Sequence, residues 1–436
     1  MYKLSRYNIT IPLDDGGALL ANTLWQSQLR LSQFEAQALS STNTAPTEPC
    51  LGKELYTRLL DGGMLAPQET EELDVARHHH YTERRDSDSL YLTIVNTLGC
   101  NFDCSYCGEL HKRPQSLSKE DERQILRFTD QQLASRRSLQ VVWTGGEPLL
   151  NIKSIQYLSQ TLSRMCSFRG TSYSASLVTN GALMTDQVAQ LLRRSQIRTV
   201  RITLDGPRDA HNVMRPAKNR KESYDQVLSG LKVANSYFDV GLGINLGKRN
   251  GEVVEQLLQD LVDHELSGIG VFFSRIVPPD LRKSSCIDTT AEFLTVSEFA
   301  ELEVRLARAA IALGFHVDLG FGQNGALPCS AVSRDQYVVE PGGLVQRCYS
   351  DISSGSTTVG TLVGGKFEPG VNDKKWEHYD AFDDSCRECA YLPICYGGCP
   401  KLQMNNINKE WFICTPRKFN LAELLKLCSI GDKSFH

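Results

Sequence analysis

Three cysteines, Cys100, Cys104 and Cys107, are spaced C-x3-C-x2-C directly after an apolar, β-prone stretch at residues 90–97. A loop this short can wrap three thiolates around one corner of an iron–sulfur cube. Because no fourth cysteine lies close by in the sequence, one iron would keep an open position that can bind and activate a small molecule. Zinc with a distant fourth ligand is the alternative, although zinc sites favour paired C-x2-C knuckles. The spacing therefore indicates a reactive iron–sulfur centre.

A second set of seven cysteines occupies the last part of the 436-residue chain. It contains one C-x2-C pair, whereas zinc ribbons use two such knuckles, and soft thiolates suit iron. Zinc is the alternative here as well. The other four of the fourteen cysteines, Cys50, Cys166, Cys286 and Cys428, are scattered and are interpreted as ordinary thiols. The second set comprises Cys329, Cys348, Cys386, Cys389, Cys395, Cys399 and Cys414.

Composition narrows the classes of protein that can hold these cysteines. The formal net charge is −4, from 47 basic and 51 acidic residues, which does not favour a general nucleic-acid binder. No apolar run approaches the roughly 18 residues that span a bilayer, and residues 1–17 lack the apolar stretch of a secretory signal. We therefore expect a cytoplasmic protein that binds neither nucleic acid nor membrane. Disulfides are disfavoured there, so the cysteines would serve metals or catalysis.

Six β-strand patterns alternate with six helix patterns between residues 89 and 318. Such alternation predicts the α/β class and a parallel sheet with helices outside it, and this many units predict a partial (β/α)6, TIM-like barrel. In such barrels functional residues lie at the carboxyl ends of the strands. The expected strands are 90–97, 139–143, 173–179, 199–204, 240–245 and 269–276, and the expected helices are 118–136, 152–166, 185–195, 223–236, 251–264 and 294–314.

Segments with other patterns flank the barrel. Residues 1–88 are expected to form a small α+β domain with a hairpin around the turn at residues 14–17. The histidine triplet at residues 78–80 is interpreted as a solvated helix end rather than a metal site. Residues 319–436 are rich in Gly, Cys and short strands, which favours a domain held by metal rather than by a large core. The N-terminal hairpin would pair 7–11 with 18–24, and helices are expected at 28–40, 52–61 and 67–77.

Polar residues and glycines follow the predicted barrel strands, where functional residues are expected. Glycines at the end of the second strand would let the backbone approach a ligand closely. Each motif, taken alone, is also compatible with an ordinary strand-to-helix turn. The strand-end motifs are Gly145-Gly146-Glu147-Pro148, Thr179-Asn180-Gly181, Thr203-Leu204-Asp205-Gly206-Pro207 followed by His211 and Arg215, and Asn245.

The first cysteine set resembles the signature of the radical S-adenosylmethionine (radical SAM) superfamily, and the strand-end motifs agree with it. The resemblance implies a [4Fe–4S] cluster on Cys100, Cys104 and Cys107, with SAM bound to its unique iron. One electron would cleave the sulfonium to methionine and a 5′-deoxyadenosyl radical, which abstracts a hydrogen atom from the substrate. Thr203 stands where this branch has serine, and its hydroxyl can still bond the cofactor. The residues implied to bind SAM are Tyr106, Gly145, Gly146, Glu147, Asn180, Thr203, Arg215 and Asn245.

The second cysteine set resembles the SPASM domain that follows the barrel in one radical SAM branch, and every short interval fits. This resemblance implies two auxiliary [4Fe–4S] clusters, and hence three clusters in the chain. The fourth ligand of auxiliary cluster I is left open between Cys286, a non-cysteine residue and no ligand at all. The resemblance assigns Cys329, Cys348 and Cys399 to auxiliary cluster I, and Cys386, Cys389, Cys395 and Cys414 to auxiliary cluster II.

Auxiliary clusters can accept the electron that a substrate radical loses when it forms a new bond. The resembling family uses this chemistry on peptides, so we expect an oxidoreductase that matures a ribosomally made peptide through a thioether or carbon–carbon crosslink. The N-terminal hairpin and helices loosely resemble a winged-helix element that captures leader peptides, and a packing extension of the barrel is the alternative. The expected partners are a peptide substrate with a leader region and a flavodoxin- or ferredoxin-type electron donor.

Other functions stay open on the sequence alone. A sulfatase-maturing enzyme that forms formylglycine is one, although such enzymes usually start almost directly at the cysteine motif. A radical enzyme acting on a small molecule would leave the N-terminal segment without a peptide role. An electron-transfer or structural iron–sulfur protein would not consume SAM. No catalytic base stands out, since Asp351 is interpreted as a surface carboxylate.

Overall fold

The α/β alternation of the sequence folds into one large sheet with helices packed against it, preceded by a small N-terminal α+β region. This is the α/β fold class that the sequence predicts. No helix in the described ranges is long and apolar enough to span a bilayer. The computed structural model describes residues 1–42, 46–85, 88–107, 114–219, 222–277, 293–318, 329–405 and 414–430.

The N-terminal elements are β1 (Tyr2–Leu4), β2 (Asn8–Pro12), β3 (Ala18–Asn22), β4 (Ser27–Leu31), α1 (Gln33–Ser41), α2 (Glu48–Leu51), α3 (Lys53–Asp61), β5 (Leu65–Pro67) and α4 (Glu72–Arg85). The predicted hairpin is confirmed as β2 and β3. The helix expected from residue 28 is wrong at its start, because residues 27–31 pair with β3 as a third antiparallel strand. Ser32 and Glu35 then form a capping box that starts α1.

The barrel elements are β6 (Ser89–Thr97), α5 (Lys119–Gln132), β7 (Ser138–Gly145), α6 (Ile152–Arg169), β8 (Ser172–Thr179), α7 (Asp186–Arg194), β9 (Ile197–Thr203), α8 (Arg208–Met214), α9 (Ser223–Tyr237), β10 (Asp239–Leu246), α10 (Val254–Asp263), β11 (Gly270–Arg275), α11 (Val296–Ala312) and β12 (His316–Val317). Neighbouring strands from β6 to β12 pair in parallel and in chain order, which confirms the predicted parallel sheet. The carboxyl ends of β6 to β11 therefore meet along one rim of the sheet.

The cysteine-rich part contributes β13 (Gln336–Val339), β14 (Leu344–Gln346), β15 (Gly360–Val363), β16 (Lys366–Pro369), α12 (Asp373–Glu377), α13 (Leu392–Cys395), α14 (Pro400–Met404) and α15 (Arg417–Ile430). Strand β13 pairs in parallel with β6, and β14 to β16 continue antiparallel from it. The edge of β6 that would otherwise expose its backbone is thereby covered. The barrel and the cysteine-rich part thus share one continuous sheet.

The N-terminal region packs directly against the cysteine-rich part. The Arg6 guanidinium donates a 2.7 Å hydrogen bond to the backbone carbonyl of Arg387, and the Thr23 hydroxyl donates to that of Ala390. The apolar face of the hairpin packs on α15, where Leu421 and Leu425 join its core. The N-terminal region therefore holds the loop that carries Cys386 and Cys389.

His80 lies in the interface between the N-terminal and cysteine-rich regions, and its burial corrects the interpretation of the histidine triplet as a solvated helix end. The triplet lies inside α4, and the side chain of His80 is only 1% exposed. Its ring lies 4.4 Å from the ring of Tyr396 and 5.6 Å from that of Phe382. This burial could not be predicted from the sequence, because the contacting rings lie some 300 residues further along the chain. Burial, helped by the nearby Arg84 charge, lowers the pKa of His80 from 6.5 to about 4.

We expect this shift in pKa to make the protein less stable as the pH falls. Between pH 6.5 and about pH 4 the unfolded chain binds a proton at His80 that the folded chain excludes, so stability is lost as pH falls through this window. Going from about pH 7.5 to about pH 5.5 should cost roughly 1–2 kcal/mol at this one group. The measurement is the unfolding midpoint as a function of pH. The midpoint of His80→Leu should lack that part of the pH dependence, whereas the midpoint of His78→Leu, which changes an exposed residue of the same helix, should retain it.

Candidate functional site

All three cysteines of the first set line one cavity of about 210 Å³ at the carboxyl ends of β6 to β9. The loop that carries them is fixed by its backbone to the segment after α8. The Asp103 N–H donates to the Pro216 carbonyl at 2.8 Å, and the Ser105 N–H donates to the Met214 carbonyl at 2.9 Å. The cavity is also lined by Leu98, Gly99, Phe102, Tyr106, Pro114, Thr144, Gly145, Gly146, Val178, Thr179, Asn180, Thr203, Arg215 and Lys218.

The thiols at this cavity lie close enough to one another to interact. Burial raises the pKa of Cys100, and it raises that of Cys104 to about 12. The thiols of Cys100 and Cys107 raise the pKa of Cys104 further, whereas the Arg215 guanidinium opposes the rise. Arg215 therefore faces Cys104, and it would favour a thiolate there.

Two glycines at the end of β7 allow the cysteine loop to approach the neighbouring strand. Gly145 has a φ of +142°, and a Cβ on it would lie 2.2 Å from the carbonyl oxygen of Thr97. A Cβ on Gly146 would lie 2.4 Å from the carbonyl oxygen of Gly99. The Gly146 N–H donates to the Thr97 carbonyl at 3.0 Å. Both positions therefore require glycine because of the protein's own backbone, in addition to any contact with a ligand.

Glu147 is fully buried, and it does not line the cavity. Its carboxylate accepts hydrogen bonds from the Thr179 hydroxyl at 2.7 Å, the Asn180 N–H at 2.8 Å and the Leu149 N–H at 3.0 Å. Burial raises the pKa of this carboxyl group, and the three hydrogen bonds oppose the rise. Glu147 thus positions the end of β8, where Asn180 reaches the cavity.

Asp205 links several of the predicted cofactor residues, although its motif alone did not indicate a role for it. Its Oδ2 accepts from the Tyr106 hydroxyl and, at 3.2 Å, from Arg215. Its Oδ1 accepts the Asn245 backbone N–H at 2.7 Å and the Asn245 side-chain amide at 3.1 Å. Arg215 also donates to the Tyr106 hydroxyl at 2.6 Å. The signal for Asp205 was present, since it lies two residues after Thr203 in the fourth strand-end motif.

We expect Asp205→Asn to destabilise the protein by about 3–5 kcal/mol, because it leaves a buried arginine without its carboxylate. Asp205 is fully buried and the side chain of Arg215 is 10% exposed, so solvent screening is small. The free energy of unfolding from denaturant titration measures the loss. The double variant Asp205→Asn/Arg215→Met should recover part of it, because the unpaired charge is then gone. Equal stability of the single variant and the native chain would contradict this.

The structure brings most of the predicted cofactor residues together at this cavity. Tyr106, Gly145, Gly146, Asn180, Thr203 and Arg215 line it with the three cysteines, whereas Glu147 and Asn245 lie behind it. Phe102 and Lys218 also line the cavity, and no sequence motif marked them. Three thiols, glycine backbone and a buried guanidinium around one space fit an iron–sulfur cluster with a charged small molecule beside it.

The thiols of the second cysteine set influence one another's pKa in two groups. Burial raises the pKa of Cys395 to about 12, and the neighbouring thiols Cys389, Cys386 and Cys414 raise it further. In the other group burial raises the pKa of Cys329, and the Cys399 thiol raises it further. Burial also raises the pKa of Cys348, and the Cys329 thiol adds to that rise. The two ligand sets expected from the sequence are compatible with these groups, and their assignment to clusters stays a prediction. Cys286, the candidate fourth ligand, lies outside the described residues.

Asp351 is not the surface carboxylate that the sequence suggested. It is 3% exposed, and it forms a 2.7 Å ion pair with Lys401. It also lies near Cys348, where its charge raises the pKa of that thiol. The three-residue turn after Cys348 buries the carboxylate, and its partner comes from α14, too far along the chain for a sequence pattern to reveal.

Comparison with known proteins agrees with the geometry of the site. Residues 94–261 match the model of the Radical SAM superfamily. A serine-type anaerobic sulfatase-maturating enzyme of Bacteroides thetaiotaomicron is 29% identical over 146 residues, which are 32% of this chain and 34% of that protein. The chain thus spans about a third of the length of this curated relative.

Two solved structures share the fold at low sequence identity. The first is anSMEcpe with bound AdoMet and the Cp18Cys peptide, with a TM-score of 0.62, 16% identity, and coverage of 79% of this chain and 100% of that chain. The second is SuiB of Streptococcus suis bound to the precursor peptide SuiA, with a TM-score of 0.53, 14% identity, and coverage of 95% of this chain and 99% of that chain.

Proposed function

We propose that the chain is an enzyme that oxidatively modifies a ribosomally made peptide, because residues 94–261 match the model of the Radical SAM superfamily. The observation that carries the proposal is the joint position of Cys100, Cys104 and Cys107 in one cavity with Gly145 and Gly146. The superfamily implies SAM and a [4Fe–4S] cluster. When bound, these groups would supply a 5′-deoxyadenosyl radical that abstracts a hydrogen atom from the substrate.

The residues of the chain have distinct roles in this proposal. The three cysteines would hold the cluster, and Asn180, Thr203 and the glycine backbone of β7 would contact SAM. Arg215 would hold negative charge at the cavity, since Asp205 and Tyr106 fix its guanidinium from behind. The buried Glu147 would orient Asn180 rather than touch the cofactor.

Two auxiliary clusters complete the proposed electron path. Cys329, Cys348 and Cys399 would hold auxiliary cluster I, and Cys386, Cys389, Cys395 and Cys414 would hold auxiliary cluster II. Tyr379 lies near thiols of both groups, which raise the pKa of its hydroxyl after the larger effect of burial. An electron leaving a substrate radical could then pass to the auxiliary clusters. A flavodoxin- or ferredoxin-type protein is the proposed electron donor that reduces the first cluster.

The proposed substrate is a peptide with a leader region, and the product is a thioether or carbon–carbon crosslink. The solved structures of anSMEcpe and SuiB hold peptides, which supports this class of substrate. In the N-terminal region the outer edges of β2 and β4 pair with no other strand of the described part, so either edge can accept an added peptide strand. The relation to sulfatase-maturating enzymes supports a second candidate, oxidation of a serine or cysteine in a protein chain.

Anaerobic reconstitution with iron and sulfide tests the proposal. We expect about twelve irons per chain from three clusters, and 5′-deoxyadenosine after addition of dithionite and SAM. Incubation with a precursor peptide encoded beside the gene should then yield a crosslink detectable by tandem mass spectrometry. Bound zinc, few irons and no 5′-deoxyadenosine would overturn the assignment. A formylglycine residue in place of a crosslink would favour the second candidate.

A further inference from the structure

Arg201 places an unpaired guanidinium in the wall of the barrel. It lies on β9, and its side chain is exposed. Among the described residues it has no ion pair and no hydrogen bond. Its guanidinium instead lies over the ring of Phe272, 4.2 Å from the ring centroid. Three other arginines near the core, Arg84, Arg215 and Arg347, each have a carboxylate or carbonyl partner. A cation held in place without an anion leaves its hydrogen-bonding fork available to a ligand.

The position of Arg201 is next to the cofactor cavity. Residues two apart on a strand share a face, so Arg201 points to the same side of the sheet as Thr203, which lines that cavity. On the neighbouring strand Arg201 is in register with Val178, another residue of the cavity lining. A group bound by the guanidinium would therefore lie about one strand step, roughly 7 Å, from the cavity wall.

The neighbouring strand β10 is shaped to keep Arg201 and Phe272 together. Arg201 is in register with Gly241, and Phe272 is in register with Gly243. A Cβ on Gly243 would lie 2.7 Å from Cζ of Phe272. The ring thus lies across the strand where a side chain would otherwise stand, and it reaches the guanidinium. Because a planar cation on an aromatic face keeps its edge free, this contact orients the fork without occupying it.

Arg201 also lies near the turn that follows Cys348. Tyr349 directly follows Cys348, its side chain is 67% exposed, and it lies close enough to Arg201 for the two to interact electrostatically. Arg201 therefore lies near both the cavity of the first cysteine set and the turn that carries Cys348.

We propose that Arg201 is a substrate-binding residue that holds a carboxylate of the peptide beside the cofactor cavity. This inference rests on the proposed function and adds to it the charge of the substrate. An arginine fork matches a carboxylate with two parallel hydrogen bonds, which would fix the direction of the peptide as well as its affinity. The carboxylate is either an Asp or Glu side chain near the modified residue or the peptide's own carboxyl terminus.

Retention of synthetic peptides on the reconstituted, SAM-bound protein tests this assignment. Three pools of short randomised peptides are compared by mass spectrometry under anaerobic conditions. The acidic pool carries one Asp or Glu and blocked termini, the neutral pool has Asn or Gln at that position, and the third pool is neutral with a free carboxyl terminus. We expect the native chain to enrich one carboxylate pool over the neutral pool by about tenfold or more. Whichever carboxylate pool is enriched identifies the source.

Variants separate a carboxylate site from general peptide binding. Arg201→Gln should reduce the enrichment of the carboxylate pool over the neutral pool to about onefold. Arg201→Lys should give an enrichment between that of Arg201→Gln and that of the native chain, because an ammonium lacks the fork. Arg198→Gln is the matched control, since Arg198 is an exposed arginine on the opposite face of the same strand. It should enrich the carboxylate pool as the native chain does. Thermal unfolding of each variant reports on its folding.

The outcomes distinguish failure of this inference from failure of the proposed function. If the native chain retains peptides without preference, or if Arg201→Gln keeps the preference, Arg201 is not the carboxylate site and the peptide function stands. If the native chain retains no pool while it still cleaves SAM, the inference fails, and the peptide function is then decided separately by the crosslinking assay with a precursor peptide that carries its leader. An arginine that only covers Phe272 predicts the first of these results.

Discussion

Cys104→Ala is expected to abolish formation of 5′-deoxyadenosine from SAM. Of the three cysteines that line the cavity, Cys104 is the most buried, with 9% of its side chain exposed, and it lies between the other two along the loop. Removal of this thiol leaves two ligands, which cannot hold one corner of an iron–sulfur cube. The measurement is 5′-deoxyadenosine released by dithionite-reduced, reconstituted protein, together with iron per chain, which should fall by about four.

A matched control for this variant is Cys50→Ala, which changes an exposed cysteine in the short helix α2. It should keep both the iron and the activity. The Cys104→Ala protein should retain iron at the auxiliary sites, so that retained iron also reports that the chain has folded. Release of 5′-deoxyadenosine at the native rate by Cys104→Ala would show that the cluster has other ligands, and the assignment of the first cysteine set would be wrong.

The order of strands and the place of the first site could be predicted because both depend on local pattern. Alternating βα units imply parallel pairing, and parallel pairing brings strand ends to one rim, so the cysteine loop and the motifs at Gly145, Asn180 and Thr203 had to meet. Strand β4 was missed because Ser32 begins a helix directly after it, and the two patterns merged into one. A capping box inside a predicted helix was the available signal.

Long-range contacts account for the rest of what the sequence did not reveal. The burial of His80 depends on rings more than 300 residues away, and the burial of Asp351 depends on Lys401. Asp205 was visible within its motif, but its role follows from four hydrogen bonds that come from three different segments. No spacing rule encodes such contacts, because the partners meet only after the sheet has formed.

Cys389→Ala is expected to remove one auxiliary cluster and to abolish modification of the peptide. Cys389 belongs to the group around Cys395, and loss of one of four thiolates should lower iron by about four per chain. The electron paramagnetic resonance signal that changes when SAM is added should persist, because it belongs to the first cysteine set. Crosslinked peptide, measured by mass spectrometry, should be absent, since the electron of the substrate radical then cannot pass beyond auxiliary cluster I.

The loop that carries Cys389 also holds the N-terminal region, which makes this variant informative about both proposals. Arg6 and Thr23 donate to backbone carbonyls on either side of Cys389, so loss of the metal should loosen that contact as well. Arg6→Gln is the comparison, because it weakens the contact and leaves every cysteine in place. If Arg6→Gln lowers peptide retention but not iron, the N-terminal region serves the peptide separately from the cluster. Unchanged iron in Cys389→Ala would instead show that this group of cysteines does not bind a cluster, and the electron path proposed through it would be wrong.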